Sequence, residues 1–164
     1  MQTTGPNGGS TVALIVNRTG SLMEFSDGGS FYVKIDFANY KTTVPFETAA
    51  GQYELRRENS SGLEWVLTDA RGKKLAGLDI GRARKSLSVK FENGFMANFN
   101  INGAFLYTGT WTNAANEFLV SVARKWWNFK KPFTVTIDPG VATAVPELAL
   151  LAVLGIRLLE VHRN

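Results

Sequence analysis

The stretch VATAVPELALLAVLGIRLLEV, residues 141–161, decides the fold. Between Leu148 and Ile156 no residue is charged, so a helix formed here is apolar on every face. Pro146 and Glu147 suit its first turn, where no backbone N–H is needed and negative charge meets the positive end of the helix dipole. Because a helix that is apolar all round must be buried, the sequence predicts a buried helix over residues of about 145–161.

Two environments could bury this helix, a bilayer or the interior of the protein. A helix that spans a bilayer needs about 20 apolar residues, whereas Glu147 and Arg157 bracket the uncharged run. A charge at the centre of a spanning helix costs about 2.5–3.5 kcal/mol, and a shorter apolar run is more typical of a core helix. The pattern favours a core helix, with membrane insertion as the alternative.

Upstream of the helix, the chain has the pattern of short antiparallel strands. Phe31, Val33, Ile35 and Phe37 alternate with polar residues, which is the period of a half-buried strand. Strands are predicted over residues 31–37, 53–57, 63–68, 74–80, 86–91, 95–101, 105–111, 117–124 and 133–137. About ten to twelve strands at this spacing indicate a sandwich or barrel. A closed barrel is favoured because it leaves no exposed edge, and an apolar helix can fill its interior.

The composition excludes several classes of site. The chain has 164 residues, enough for about one domain, and lacks cysteine, which excludes disulfides, thiol nucleophiles and cysteine zinc sites. With one histidine, His162, no site that needs two imidazoles can form. Residues 1–11 are polar and glycine-rich without a signal-peptide pattern, and we expect a flexible segment there, followed by a single domain over residues 12–164. The expected location is intracellular and cytoplasmic, with peripheral association at the membrane.

Residues 122–141, VARKWWNFKKPFTVTIDPGV, carry a family likeness. Together with the apolar helix, they resemble the end of LURP-one-related and phospholipid-scramblase-like proteins, which share the tubby-like C-terminal fold. The resemblance implies a closed antiparallel barrel of about twelve strands around a central hydrophobic helix. The chain lacks the cysteine-rich and proline-rich segments of the scramblase branch and a clear counterpart of its acidic calcium site. The LURP-one-related branch is therefore the closer likeness.

A basic strip is the first candidate binding site. Its five cations, opposed only by Asp79, are Lys73, Lys74, Arg82, Arg84 and Lys85. Arg82 and Arg84 are predicted to share one strand face with Ser86. Arginine suits bidentate capture of phosphate, and the resemblance implies phosphoinositide binding, since tubby proteins bind such headgroups through lysine and arginine on the barrel wall. The alternative is a solvated edge that its charges keep from pairing.

A basic and aromatic segment is the second candidate. Its residues are Arg124, Lys125, Trp126, Trp127, Lys130 and Lys131. Cations interleaved with aromatic rings are typical of surfaces that bind membranes or single-stranded nucleic acid. The alternative is a barrel strand with inward aromatic side chains and outward lysines that extend over apolar surface.

No pattern in the sequence indicates catalysis or metal binding. The carboxylates are scattered, and Arg84 stands where a phosphate loop requires glycine before its Lys-Ser pair. We therefore expect a non-enzymatic, monomeric binding or adaptor module without metal or cofactor. Its expected partners are anionic phospholipid or phosphoinositide headgroups and an unidentified protein, whereas a net charge of +4 is small for nucleic-acid binding. The alternative is a scramblase-like membrane protein anchored by the C-terminal helix.

Overall fold

The structure is a computed structural model that describes residues 2–4, 10–26, 32–102, 108–124, 133–137 and 147–161. These residues contain thirteen strands and one helix. In chain order they are β1 (Gln2–Thr4), β2 (Ser10–Thr19), β3 (Leu22–Ser26), β4 (Tyr32–Asp36), β5 (Thr43–Thr48), β6 (Gly51–Arg57), β7 (Glu64–Asp69), β8 (Lys74–Ile80), β9 (Ser86–Phe91), β10 (Met96–Asn102), β11 (Thr108–Asn113), β12 (Phe118–Arg124), β13 (Phe133–Ile137) and α1 (Leu148–Val161).

Twelve strands, β2 to β13, form an antiparallel and nearly closed barrel. Each strand pairs with the next one along the chain, and β2 pairs with β3 on one edge and with β13 on the other. This arrangement confirms the predicted mainly β fold and its number of strands. The short strand β1 pairs with residues 10–12 of β2, in the region where the sequence predicts a flexible segment.

Alternating side chains place the apolar residues of the strands in one core. In β9, Leu87, Val89 and Phe91 are buried while the residues between them are exposed. Burying each side chain of this size contributes about 1.5–3 kcal/mol, which fixes the face that each strand turns inward. In the turn after β9, Gly94 has a φ of 91° and its N–H donates to the Phe91 carbonyl oxygen, so glycine provides the left-handed residue of this hairpin.

The helix α1 is buried along most of its length. The side chains from Leu150 to Leu159 are at most 9% exposed, and all the apolar ones belong to the same core as the strands. An added Cβ at Gly155 would lie 3.0 Å from Trp111 Nε1 and 3.1 Å from the Phe99 ring, so glycine permits close packing here. Residues 145 and 146, where the predicted helix starts, lie outside the described residues. In the part of the chain that the structure describes, no helix is long and apolar enough to cross a membrane.

The two ends of the barrel are distinguished by the turns that they carry. The upper end carries the β2–β3, β4–β5, β6–β7 and β8–β9 turns. The lower end carries the β5–β6, β7–β8, β9–β10 and β11–β12 turns. At the lower end, Asn93 Nδ2 donates a hydrogen bond of 2.7 Å to Glu147 Oε1, just before α1. At the upper end, Arg157 and Leu159 of α1 contact the β4–β5 turn and the end of β12.

Candidate functional site

The five residues of the predicted basic strip lie at opposite ends of the barrel. All five are exposed. Lys73 and Lys74 lie at the lower end, whereas Arg82, Arg84 and Lys85 lie in the upper β8–β9 turn. The intervening strand β8 rises about 3.3 Å per residue, which separates the two groups by about 20 Å. They therefore form two separate surfaces. Arg82 and Arg84 lie in a turn before β9, so the prediction that they share one strand face with Ser86 is wrong.

A cavity at the upper end brings Arg84 together with three cations from other elements. It has a volume of about 330 Å³, and the cations that line it are Lys41, Arg57, Arg84 and Arg157. No aspartate or glutamate is among the described residues that line this cavity. Its size is within the range of small-molecule sites, of about 300–1,000 Å³. We call it the upper cavity.

Arg157 is the most buried cation of the upper cavity, with 8% of its surface exposed. Its Nη2 donates a hydrogen bond of 2.5 Å to the Tyr40 carbonyl oxygen. Its guanidinium carbon lies 4.8 Å from the centroid of the Trp65 ring and 5.6 Å from that of Tyr40, within the range of cation–π attraction. The Trp65 indole donates to the Gly62 carbonyl oxygen at 3.0 Å. These contacts hold a positive charge in a defined position beside two aromatic rings.

Arg57 is fixed by the β6–β7 turn. Its Nε donates to the Asn59 carbonyl oxygen at 2.6 Å, and its Nη2 donates to the Ser60 carbonyl oxygen. The turn includes Gly62 at a φ of 71°, where an added Cβ would lie 3.4 Å from Arg57 Nε. Glycine therefore provides both the left-handed backbone and the space beside the guanidinium. Carbonyl partners orient the group without neutralising its charge.

The two remaining cations lie on turns of the upper end. Lys41 is exposed, and its Nζ lies 5.9 Å from the centroid of the Tyr40 ring. Arg84 has a φ of 54°, and its backbone N–H donates to the Gly81 carbonyl oxygen at 2.6 Å. A residue other than glycine in this left-handed region costs about 1–2 kcal/mol, and such residues cluster at functional sites.

Most of the predicted basic and aromatic segment lies outside the described residues, namely Lys125, Trp126, Trp127, Lys130 and Lys131, as does His162. Arg124, at the end of β12, is described. Its Nη1 donates a hydrogen bond of 3.2 Å to the Leu159 carbonyl oxygen in the last turn of α1. That carbonyl lacks a partner within the helix, so Arg124 caps the helix.

The sequence predicts one of the four cations of the upper cavity, Arg84. Lys41, Arg57 and Arg157 lie in three other elements, and their separation in the sequence gives no sign that they meet. One signal in the sequence points to the cavity, namely Arg157, a single charge directly after an apolar run. A charge that the helix buries needs a polar partner, so Arg157 marks a place where polar groups gather. Among the described residues, no group of three histidine, aspartate or glutamate side chains is placed to hold a metal ion.

Guanidinium and ammonium groups that converge on one cavity can bind phosphate or carboxylate groups. Arginine offers a planar fork for two phosphate oxygens, and lysine offers a point charge. Comparison with known proteins gives no further identification, because no family model, curated protein or solved structure matches the chain significantly. The chemistry of this cavity therefore rests on its own residues.

Proposed function

We propose that the protein is a non-enzymatic binding module whose upper cavity holds an anionic, phosphate-bearing headgroup. The observation that carries the proposal is that four cations, and no carboxylate, are among the described residues that line the cavity. Two of them, Arg57 and Arg157, are positioned by hydrogen bonds to backbone carbonyl oxygens. A site that is organised before binding loses less side-chain entropy when the ligand enters.

We infer further that the barrel is tubby-like, with α1 as its central helix. The buried side chains of α1 and its contacts at both ends of the barrel support this arrangement. In this arrangement the helix fills the interior, and binding takes place at the upper end of the barrel, where Arg157 lines the upper cavity. The same side chains would have to leave the core to enter a bilayer, so we do not propose anchoring by α1.

The proposed place of action is the cytoplasmic surface of a membrane that contains phosphoinositides. Each basic group near such a surface contributes about 1 kcal/mol to binding. The turns of the upper end add the exposed cations Arg82 and Lys85 beside the cavity. A lipid headgroup and a free inositol phosphate share the chemistry that this site recognises, and competition between vesicles and soluble inositol trisphosphate separates them.

Co-sedimentation with lipid vesicles tests the proposal. We expect binding to phosphatidylcholine vesicles that contain phosphatidylinositol bisphosphate, and weaker binding to vesicles with the same charge supplied by phosphatidylserine. Lys41→Gln should weaken binding about fivefold, the equivalent of about 1 kcal/mol. Lys90→Gln, an exposed change of the same charge on β9, is the matched control and should have a smaller effect.

Two further arms distinguish the competing outcomes. Soluble inositol trisphosphate should compete with the vesicles, and binding of this compound without vesicle binding would identify a free phosphate ligand. A double change of Lys73 and Lys74 to glutamine removes the two basic residues of the lower end. If that double variant loses vesicle binding while Lys41→Gln keeps it, the binding site is at the lower end and the proposed cavity is wrong.

A further inference from the structure

A second concave surface lies on the outer wall of the barrel, away from the upper cavity. It crosses β3 to β7, has a volume of about 580 Å³ and shares no lining residue with the upper cavity. Neighbouring strands lie about 4.8 Å apart, so a path from β3 to β7 is about 19 Å long. This length accommodates about six residues of extended chain. We call this surface the outer groove.

Carboxylates outnumber cations in the outer groove. The charged residues that line it are Asp36, Glu47, Glu54, Asp69, Lys34 and Arg56. Lys34 already forms a salt bridge of 3.6 Å with Glu24 on β3. The groove is thus negative on a chain whose net charge is +4. This local reversal of sign favours a cationic ligand.

Two of the four carboxylates serve the local turns. Asp36 Oδ1 accepts from the Ala38 N–H at 2.9 Å, and Asp69 Oδ1 accepts from two N–H groups of the β7–β8 turn. Glu47 and Glu54 form no hydrogen bond or salt bridge with other described residues. In the register of β5 and β6, Glu47 faces Gln52, so Glu54 is its diagonal neighbour on the same face. Diagonal neighbours have Cα atoms about 7–8 Å apart.

The floor of the groove holds a threonine side chain that is mostly buried. Pro45, Glu54 and Thr68 form one row across β5, β6 and β7. Thr68 is 7% exposed and lines the groove, and its hydroxyl makes no hydrogen bond to another described side chain or backbone group. This oxygen is not among the fully buried atoms that lack a partner, so it is open to the groove. A cationic ligand in the groove can donate a hydrogen bond to the Thr68 hydroxyl and provides counter-charge for the half-buried Glu54.

We propose that the outer groove binds an extended segment of a partner protein in which two basic residues are separated by one other residue. In an extended chain such residues lie on one face, about 6.6–6.8 Å apart. This spacing matches the separation of Glu47 and Glu54 across the strands. The apolar side chains of Leu22 and Pro45 also line the groove and provide contact for the aliphatic part of lysine or arginine. This proposal does not depend on the function of the upper cavity.

Fluorescence anisotropy tests this proposal with a labelled peptide of glycine and serine that carries two lysines separated by one residue. We expect saturable binding at low ionic strength, weakened by salt. Glu54→Gln should weaken it at least tenfold, because a half-buried charged partner is lost. Glu47→Gln and Thr68→Val should each weaken it by a smaller factor, and either variant remains informative if Glu54→Gln fails to fold. Glu92→Gln, exposed in the β9–β10 turn, is the matched control and should change binding less than twofold.

Three results would overturn the proposal. Equal binding of a peptide with acetylated lysines would show that the groove does not recognise cations. Binding of spermine, with no binding of the peptide, would show that the occupant is a small polycation. An equal loss in Glu54→Gln and Glu92→Gln would show that the peptide responds to overall charge and has no defined site.

Discussion

Gly109 on β11 should not tolerate alanine, because its position for a Cβ is filled by the Phe99 ring. A Cβ built on Gly109 would lie 2.0 Å from Phe99 Cζ and 2.6 Å from both Cε atoms. Non-bonded carbon atoms pack best at about 3.5–4.0 Å, so the ring would have to move by about 1.5 Å. It has little room, because Trp111 lies beside it with ring centroids 5.1 Å apart and Gly155 of α1 closes another side.

The expected cost of Gly109→Ala follows from these contacts. Overpacking of a dense core costs about 1–3 kcal/mol, and sometimes more. Replacing glycine inside a strand recovers about 0.5–1 kcal/mol of backbone entropy. We expect a net loss of about 2 kcal/mol of unfolding free energy, measured by urea unfolding followed by circular dichroism. This loss corresponds to roughly 4–8 °C in Tm for a chain of this size.

A matched glycine and a double variant make this prediction testable. At Gly77 on β8, an added Cβ would meet only the end of Lys74, at 3.7 Å, so Gly77→Ala should be neutral or stabilising. In the Gly109→Ala background, Phe99→Leu should cost less than it does alone, with a coupling of about 1 kcal/mol or more. Strictly additive effects, or a Gly109→Ala variant as stable as the wild type, would refute the proposed packing of this ring.

Three further predictions concern α1 and its surroundings. Arg157→Met should reduce binding of phosphoinositide vesicles at least tenfold, because the cavity loses a cation that can hold phosphate. The unfolding free energy should change by less than about 1.5 kcal/mol, because an apolar side chain replaces a buried charge. Unchanged vesicle binding would contradict the place of Arg157 in the site. Deleting Leu148–Val161 should abolish cooperative thermal unfolding, monitored by circular dichroism, since the core loses its buried helix. Asn93→Ala should lower the unfolding free energy in urea by about 1 kcal/mol, because the hydrogen bond that fixes the start of α1 is removed; a change of several kcal/mol would contradict this minor role.

Local patterns predicted much of the fold. The predicted strands over residues 74–80, 86–91 and 133–137 have the bounds of β8, β9 and β13, because their alternation is regular and ends at turn residues. Four strands, β1, β2, β3 and β5, had no prediction of their own. In β5, Pro45 interrupts the pattern, and the ladder to β4 stops at Phe46, since proline has no N–H to donate.

The candidate site could be predicted only in part. The sequence places the five cations of the basic strip close together along the chain, but the strand over residues 74–80 puts Lys74 and Arg82 at opposite ends of the barrel. The upper cavity depends on contacts between the β4–β5, β6–β7 and β8–β9 turns and α1. These contacts arise from barrel closure and from the position of the helix, neither of which is encoded in local periodicity.

The pairing of β2 with β13 affects how the protein is made. Residues 12–16 find their partners more than one hundred positions later along the chain, at Phe133 to Ile137. While the ribosome is still synthesising the intervening strands, one edge of β2 stays open and the growing sheet cannot close. Such an edge is a template for pairing with other chains, and long-range closure slows folding. We therefore expect nascent chains to need chaperone protection until β13 has emerged, and aggregation to begin at β2 when synthesis stalls before that point.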